Sequence, residues 1–220
     1  MWNEQIIMML LEGIKDTLYM TLTSTLIGYV IGLPMGILLT VTDKDGIHPN
    51  AAVYKVLDVI ANLIRSVPFL ILLIVLIPFT RFLIGRSYGP TATIVPLVIA
   101  AAPFIARMVE SSLQEVDEGV IEAAKSMGAG TRTIIFRVLL VEARTSLIVG
   151  VTIALGTILG YSAMAGVVGG GGLGDIAIRY GYYRYQTDIM VVTIVILVLI
   201  VQVLQALGMM LSKKLDRRNK

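Results

Sequence analysis

Charged residues fall along this chain in clusters, and the gaps between them are apolar. Four uncharged runs, Thr17–Thr42, Ser87–Ala106, Thr145–Gly174 and Ile189–Ser212, each reach the ~20 residues needed to cross a bilayer as a helix. A fifth run, Ser66–Thr80, is too short alone and becomes long enough when the helix starts near Tyr54 and carries Asp58 and Arg65 within it. The pattern therefore predicts five spans. Between the third and fourth lies Glu118–Ala143, which is neither an apolar run nor a charged tail. Its apolar residues recur at helical spacing, at Val120, Ile121 and Ala124 and again at Ile134, Ile135, Val138 and Leu139. Glu122, Lys125, Ser126, Thr131, Arg132 and Arg137 fill the positions between, and Gly128-Ala129-Gly130 reads as a turn joining two short helices. An amphipathic helix-turn-helix set between spans is suited to presenting a rigid knob to a partner.

Composition agrees with a polytopic membrane protein. The chain is 56% hydrophobic and 15% charged, with a mean hydropathy of +0.85. The absence of cysteine excludes disulfides and thiolate metal sites. His48, the one histidine, precedes Pro49 in the turn Thr42–Asn50 and is expected as a solvated loop residue. That turn lacks the twelve-residue calcium pattern. The net charge of +3 resides largely in Lys213–Lys220 and calls for no nucleic acid. The N-terminus lacks the basic start and cleavage site of a signal peptide, so the first apolar run is expected to remain as an anchor.

Lysine and arginine positions predict orientation. With the C-terminus inside, Lys44, Lys55, Lys125, Arg132, Arg137, Arg144, Lys213, Lys214, Arg217, Arg218 and Lys220 are cytosolic. Lys15, Arg81, Arg86, Arg179 and Arg184 lie outside, a ratio of eleven to five. The N-terminus is then outside and the helix-turn-helix inside.

Within the spans, Gly28, Gly32 and Gly36 form overlapping small-xxx-small steps for close helix approach, with Pro34 a source of a kink. Met1–Gly13, with Trp2, suits a short interfacial helix. Arg65 is an intramembrane charge that either reaches Asp58 or a partner's carboxylate, or snorkels to the cytosolic face. Arg107 and Glu110, three apart, suit an end-of-helix ion pair. The fourth span carries small residues with Tyr161 and Ser162, which suit either a path-lining face or tight packing. Met164, about 12 Å along the helix from Gly156, is a candidate gate or a core residue. Gly169, Gly171 and Gly174 satisfy GxGxxG without a surrounding βαβ unit, so a dinucleotide site is rejected. They read instead as a tight outer loop closely approaching a partner. No Walker A Lys-Ser/Thr follows, so no ATP site is expected in this chain. The last span is almost purely aliphatic and is expected to face lipid.

Glu122-Ala123-Ala124, then Gly128, then Val138-Leu139-Leu140 resemble the EAA loop of type I ATP-binding-cassette importer permeases. The usual motif ends in Leu-Pro, whereas Val141 follows Leu140 here, so a softer break is expected before the next span. RSVPFLILL from Arg65, IVPLVIAAAPFIARMVE from Ile94 and GYSAMAGVVGGGGLG from Gly160 extend the resemblance to the methionine-uptake permeases of that class. The resemblance implies an all-α fold of five transmembrane helices in one domain, residues 1–220, with a core at about 13–208 and a cytosolic coupling loop at 118–137. It implies a homodimer in the bacterial cytoplasmic (inner) membrane, two copies of a methionine-transporter ATP-binding subunit and an extracytoplasmic methionine-binding protein. Membrane lipid surrounds it, and neither cofactor nor nucleic acid is implied. Glu122, Ala123, Ala124, Met127 and Gly128 would then dock the ATPase, and Tyr161, Ser162 and Met164 would line or gate the path. Transport would then proceed by alternating access, with ATP hydrolysed by the partner rather than by this chain. Two alternatives stand beside it, a permease of the same architecture for another amino acid or small polar solute, and an ion-coupled secondary transporter. With no charged pair expected at mid-span, selectivity is assigned to the external binding protein and the path is expected to be permissive.

Overall fold

A computed structural model describes residues 4–215. Among these the chain is helical throughout its ordered elements, and strands are absent. Helix α1 (Glu4–Thr42) leads through a turn into α2 (Ala51–Ser66), α3 (Phe69–Val75), α4 (Ile77–Ile84) and α5 (Pro90–Gln114). Next come α6 (Glu118–Ser126), α7 (Thr131–Thr133), a π-helical stretch (Ile134–Leu139) and α8 (Leu140–Glu142). Then α9 (Arg144–Ala165) ends in a 3-10 turn (Gly166–Val168), α10 (Gly172–Ile176) passes into a π-helical stretch (Ala177–Tyr182), and α11 (Thr187–Leu215) closes the described chain.

Helices α1, α5, α9 and α11 are each long and apolar enough to cross a membrane. The second crossing differs from the single helix expected from Tyr54 to Thr80. Helices α2 and α3 meet at 101°, so this crossing is broken. The cause is local, because Pro68 disfavours the helical region for the residue before it. Val67 accordingly sits at φ −82°, ψ 126°, with its N–H turned back to the carbonyl of Ile64.

Glycine decides how α1 meets α5. A β-carbon added at Gly28 would lie 3.2 Å from the Ala101 β-carbon, one at Gly32 2.6 Å from the Ala102 carbonyl oxygen, and one at Gly36 2.5 Å from the Ala106 carbonyl oxygen. The order of these contacts along both chains makes α1 and α5 parallel, as the first and third of five crossings should be. The expected small-residue seam is therefore present, and α1 stays one helix through Pro34. It also starts at Glu4, so the stretch before Gly13 continues the first span rather than lying as a separate interfacial helix; Trp2 is outside the described residues. Helix α11 runs antiparallel to α9, with Gly208 over Thr152 and Gln205 near Gly156. Of its 29 residues only Ile189, Thr193 and Ser212 are buried, which fits the expected lipid-facing span.

These pairings sort the connections into two ends. At one end lie the turn after α1 and the segment from α6 to α8. At the other, the Gly89 N–H donates to Gly169 O at 3.0 Å, and the Leu173 N–H donates to the Thr17 hydroxyl at 2.9 Å. The glycine loop does bring backbone into close approach, with Gly169, Gly171 and Gly172 all at positive φ. Within the chain it approaches α1 at Thr17 and the start of α5 at Gly89 and Pro90.

Candidate coupling surface and solute path

Asp117 starts α6 by accepting from the Gly119 N–H at 2.8 Å. The helix stops one turn past Glu122. The Met127 N–H returns to Ala123 O at 3.1 Å, and Gly128 adopts φ +78°, a left-handed conformation in which a side chain is strained. Its N–H donates to Lys125 O at 2.9 Å, and that of Ala129 to Ala124 O at 3.0 Å. The expected helix-turn-helix thus exists, and no sharp break follows Leu140, where helix continues to Glu142.

Burial divides the EAA residues into two roles. Ala124, with Ile134 and Leu139, belongs to the same core cluster as Leu97, Ile105 and Leu113, so the hairpin is fixed rigidly to the bundle. Glu122, Ala123, Met127 and Gly128 face outward. Met127 is 81% exposed, and Phe136 is 63% exposed on the following helical segment. Phe136 falls outside the apolar spacing read from the sequence, and the half-exposed Val120 was read as part of the apolar stripe, so neither was expected at the surface. His48 lies at the surface as expected but is not merely solvated. Its Nε2 shares a hydrogen bond with the Thr131 hydroxyl, tying the turn after α1 to the hairpin.

A charged cluster joins α2 to α5. Arg107 donates through Nη1 to Glu110 Oε2 at 2.7 Å, which is the expected pair. Through Nη2 it also reaches Asp58 and, at 3.1 Å, Asn62 Oδ1. Asn62 in turn donates to Asp58 at 3.0 Å, and the Tyr54 hydroxyl donates to Glu110 at 3.4 Å. Asp58 is therefore engaged by Arg107 and not by Arg65. Arg65 comes at the end of α2, beside the break, and lines a cavity of about 240 Å³ with Phe69, Leu72, Ala100, Phe104 and Tyr161.

The three candidate path residues of α9 separate. Tyr161 stacks on Phe69, ring centroids 4.5 Å apart and planes 6° from parallel. Met164 is 52% exposed. Ser162 is buried, and its hydroxyl donates to Leu159 O at 2.7 Å within the helix. Two residues apart on a helix means about 200° of rotation, so Ser162 and Met164 point to different sides. Among the described residues, no group of three or more metal-ligating side chains comes together.

Known proteins resemble this architecture closely. The probable D-methionine transport system permease protein MetI of Vibrio cholerae is 48% identical over 210 residues, covering 96% of this chain and 93% of that protein. The methionine import system permease protein MetP of Bacillus subtilis is 47% identical over 203 residues, or 92% and 91% of the two chains. A crystal structure of the MetNI methionine ABC transporter in inward-facing form superposes with a TM-score of 0.97 at 46% identity, covering 98% of this chain and 100% of that one. Residues 28–220 match the binding-protein-dependent transport system inner membrane component family, and the chain belongs to that family of multi-pass inner-membrane transport subunits.

Proposed function

We propose that this chain is the permease of a methionine importer. Two copies form the path, two copies of a methionine-transporter ATP-binding subunit engage them from the cytosol, and an extracytoplasmic methionine-binding protein delivers the solute. The observation that carries the reading is the match to methionine permeases across nearly the whole length of both chains. The hairpin supports it, since α6 is anchored by Ala124 and offers Glu122, Ala123, Met127 and Gly128 at the surface. These five residues form the coupling element. ATP closure of the ATPase pair draws the two hairpins together, and because each is packed into its bundle, the motion passes to the spans. Tyr161 and Met164 face the path, while Ser162 supports them from within α9. The whole chain acts as one permease domain, with its N-terminus outside and its C-terminus in the cytosol. The lysine and arginine asymmetry supports that orientation.

The test is reconstitution of the chain with its ATPase in liposomes. Methionine-loaded binding protein stimulates ATP hydrolysis and drives methionine uptake, whereas leucine or glutamine with their own binding proteins do not. Preferential uptake of another amino acid refutes the assignment.

A further inference from the structure

The cavity at the break in the second crossing holds a positive charge with no carboxylate partner among the described residues. Ala100 and Phe104, which line it, are the eleventh and fifteenth of the 25 residues of α5, so it lies at mid-height of that helix. An arginine at such depth is costly and characteristically marks a solute path or a paired charge. Asp58 and Glu110 are already committed to Arg107, and the Asn62 side-chain oxygen accepts from the same guanidinium. Tyr54, Asp58, Asn62 and Arg65 follow at helical spacing, so one polar stripe of α2 climbs from the turn after α1 to the cavity and ends at the free cation.

We infer that Arg65 binds the carboxylate of an amino acid in transit, while Phe104 and the edges of the Phe69–Tyr161 stack receive its apolar side chain. The inference rests on the importer reading given above. A guanidinium presents a planar fork of donors that matches a carboxylate with two parallel hydrogen bonds. The cavity, about 240 Å³, falls just below the roughly 300–1,000 Å³ of pockets for drug-sized ligands and suits a smaller solute. Aromatic edges attract a thioether sulfur. In secondary transporters solutes are commonly held near mid-membrane at broken helices, and here the break between α2 and α3 borders the cavity. The path is then permissive toward the side chain but selective for the carboxylate, against the expectation of a path without a charged site.

The assembled permease–ATPase complex, without binding protein, tests this by thermal shift with L-methionine and with methioninamide, which lacks the carboxylate. Methionine raises the melting temperature of the unaltered complex and methioninamide does not. Arg65→Gln abolishes the response, and Arg65→Lys keeps a weakened one. In proteoliposomes supplied with binding protein, Arg65→Gln lowers methionine imported per ATP hydrolysed about tenfold or more, the loss expected on removing a hydrogen bond to a charged group. Equal shifts by methionine and its amide overturn the inference, as does unchanged import by Arg65→Gln. Loss of the dimer in Arg65→Gln, restored in Arg65→Lys without a methionine response, overturns it in favour of a structural pair with a carboxylate of a second copy. Failure of the unaltered complex to import methionine refutes the importer reading itself.

Discussion

Replacing Gly32 by alanine tests whether the first and third crossings are held at their closest possible distance. The new β-carbon would stand 2.6 Å from the Ala102 carbonyl oxygen, 2.8 Å from Ile105 Cγ2 and 2.9 Å from its β-carbon. The first obstacle is backbone inside α5, and the second is a β-branched side chain with one preferred helical rotamer. Neither swings aside. Restoring ordinary contact at 3.4 Å requires α1 and α5 to part locally by about 0.8 Å. A gap of that size forfeits a quarter to a half of each dispersion contact along the seam, and overpacking of this kind costs about 1–3 kcal/mol. Gly150→Ala is the control, since its nearest neighbours, Met108 Cε and the Tyr29 hydroxyl, lie 3.7 Å away, in easy contact. There the gain in helix propensity of up to about 1 kcal/mol acts unopposed. Detergent extracts of each variant, heated and resolved by size exclusion, report the melting temperature. Gly32→Ala falls by several degrees at about 2–4 °C per kcal/mol for a chain of this size, and Gly150→Ala holds or rises. A Gly32→Ala melting temperature at or above that of Gly150→Ala refutes the seam argument.

Arg107→Met strands the buried carboxylate of Glu110 together with Asp58 and destabilises by about 3–5 kcal/mol, and adding Glu110→Gln recovers much of the loss; additive melting shifts count against the cluster. Glu122→Lys and Gly128→Asp leave the chain in the membrane but lower co-purification of the ATPase, since a mismatched charge in such a contact costs about 2–5 kcal/mol; normal transport by both removes the hairpin from coupling. Met164→Ala, at a half-exposed position, raises solute leak or uncoupled ATP hydrolysis with little change in melting temperature; destabilisation without leak assigns Met164 to packing. Cysteine at Gly130, where added atoms meet open space, reacts only from the cytosol, and cysteine at the exposed Tyr183 only from outside; external labelling at Gly130 reverses the topology.

Four crossings and the hairpin were legible because each is encoded locally, the crossings by uncharged length and the hairpin by a 3.6-residue period broken at Gly128. The second crossing was half legible. Its total length was right, but Pro68 was available as a break signal through its restriction of Val67, and the weaker hydropathy of α2 had a cause. That cause is the polar stripe of Tyr54, Asp58, Asn62 and Arg65, which makes no sense in lipid and only acquires a purpose once α5 is placed beside it. Arg107 lies 49 residues from Asp58, and no local pattern announces a partner at that separation. Glu110, three residues away on the same helix, was the easy half of the cluster.

Helix α5 meets α1 and α2 by opposite means, and this explains why sequence spoke more clearly about one than the other. Against α1 the contact is steric. Glycines at four-residue spacing admit the backbone and side chains of Ala102 and Ile105, and adding a single β-carbon is enough to disturb the fit. Such a seam writes itself into composition as small residues in register. Against α2 the contact is electrostatic, made by long side chains of Arg107 and Glu110 that reach to Asp58 and Tyr54. Long side chains tolerate more than one spacing between helices, so neither the distance nor the partner is dictated by residue size. The same tolerance leaves room at mid-height for the cavity bordered by Arg65, Phe104 and Tyr161, where a tightly ridged apolar interface would have filled the space with its own side chains.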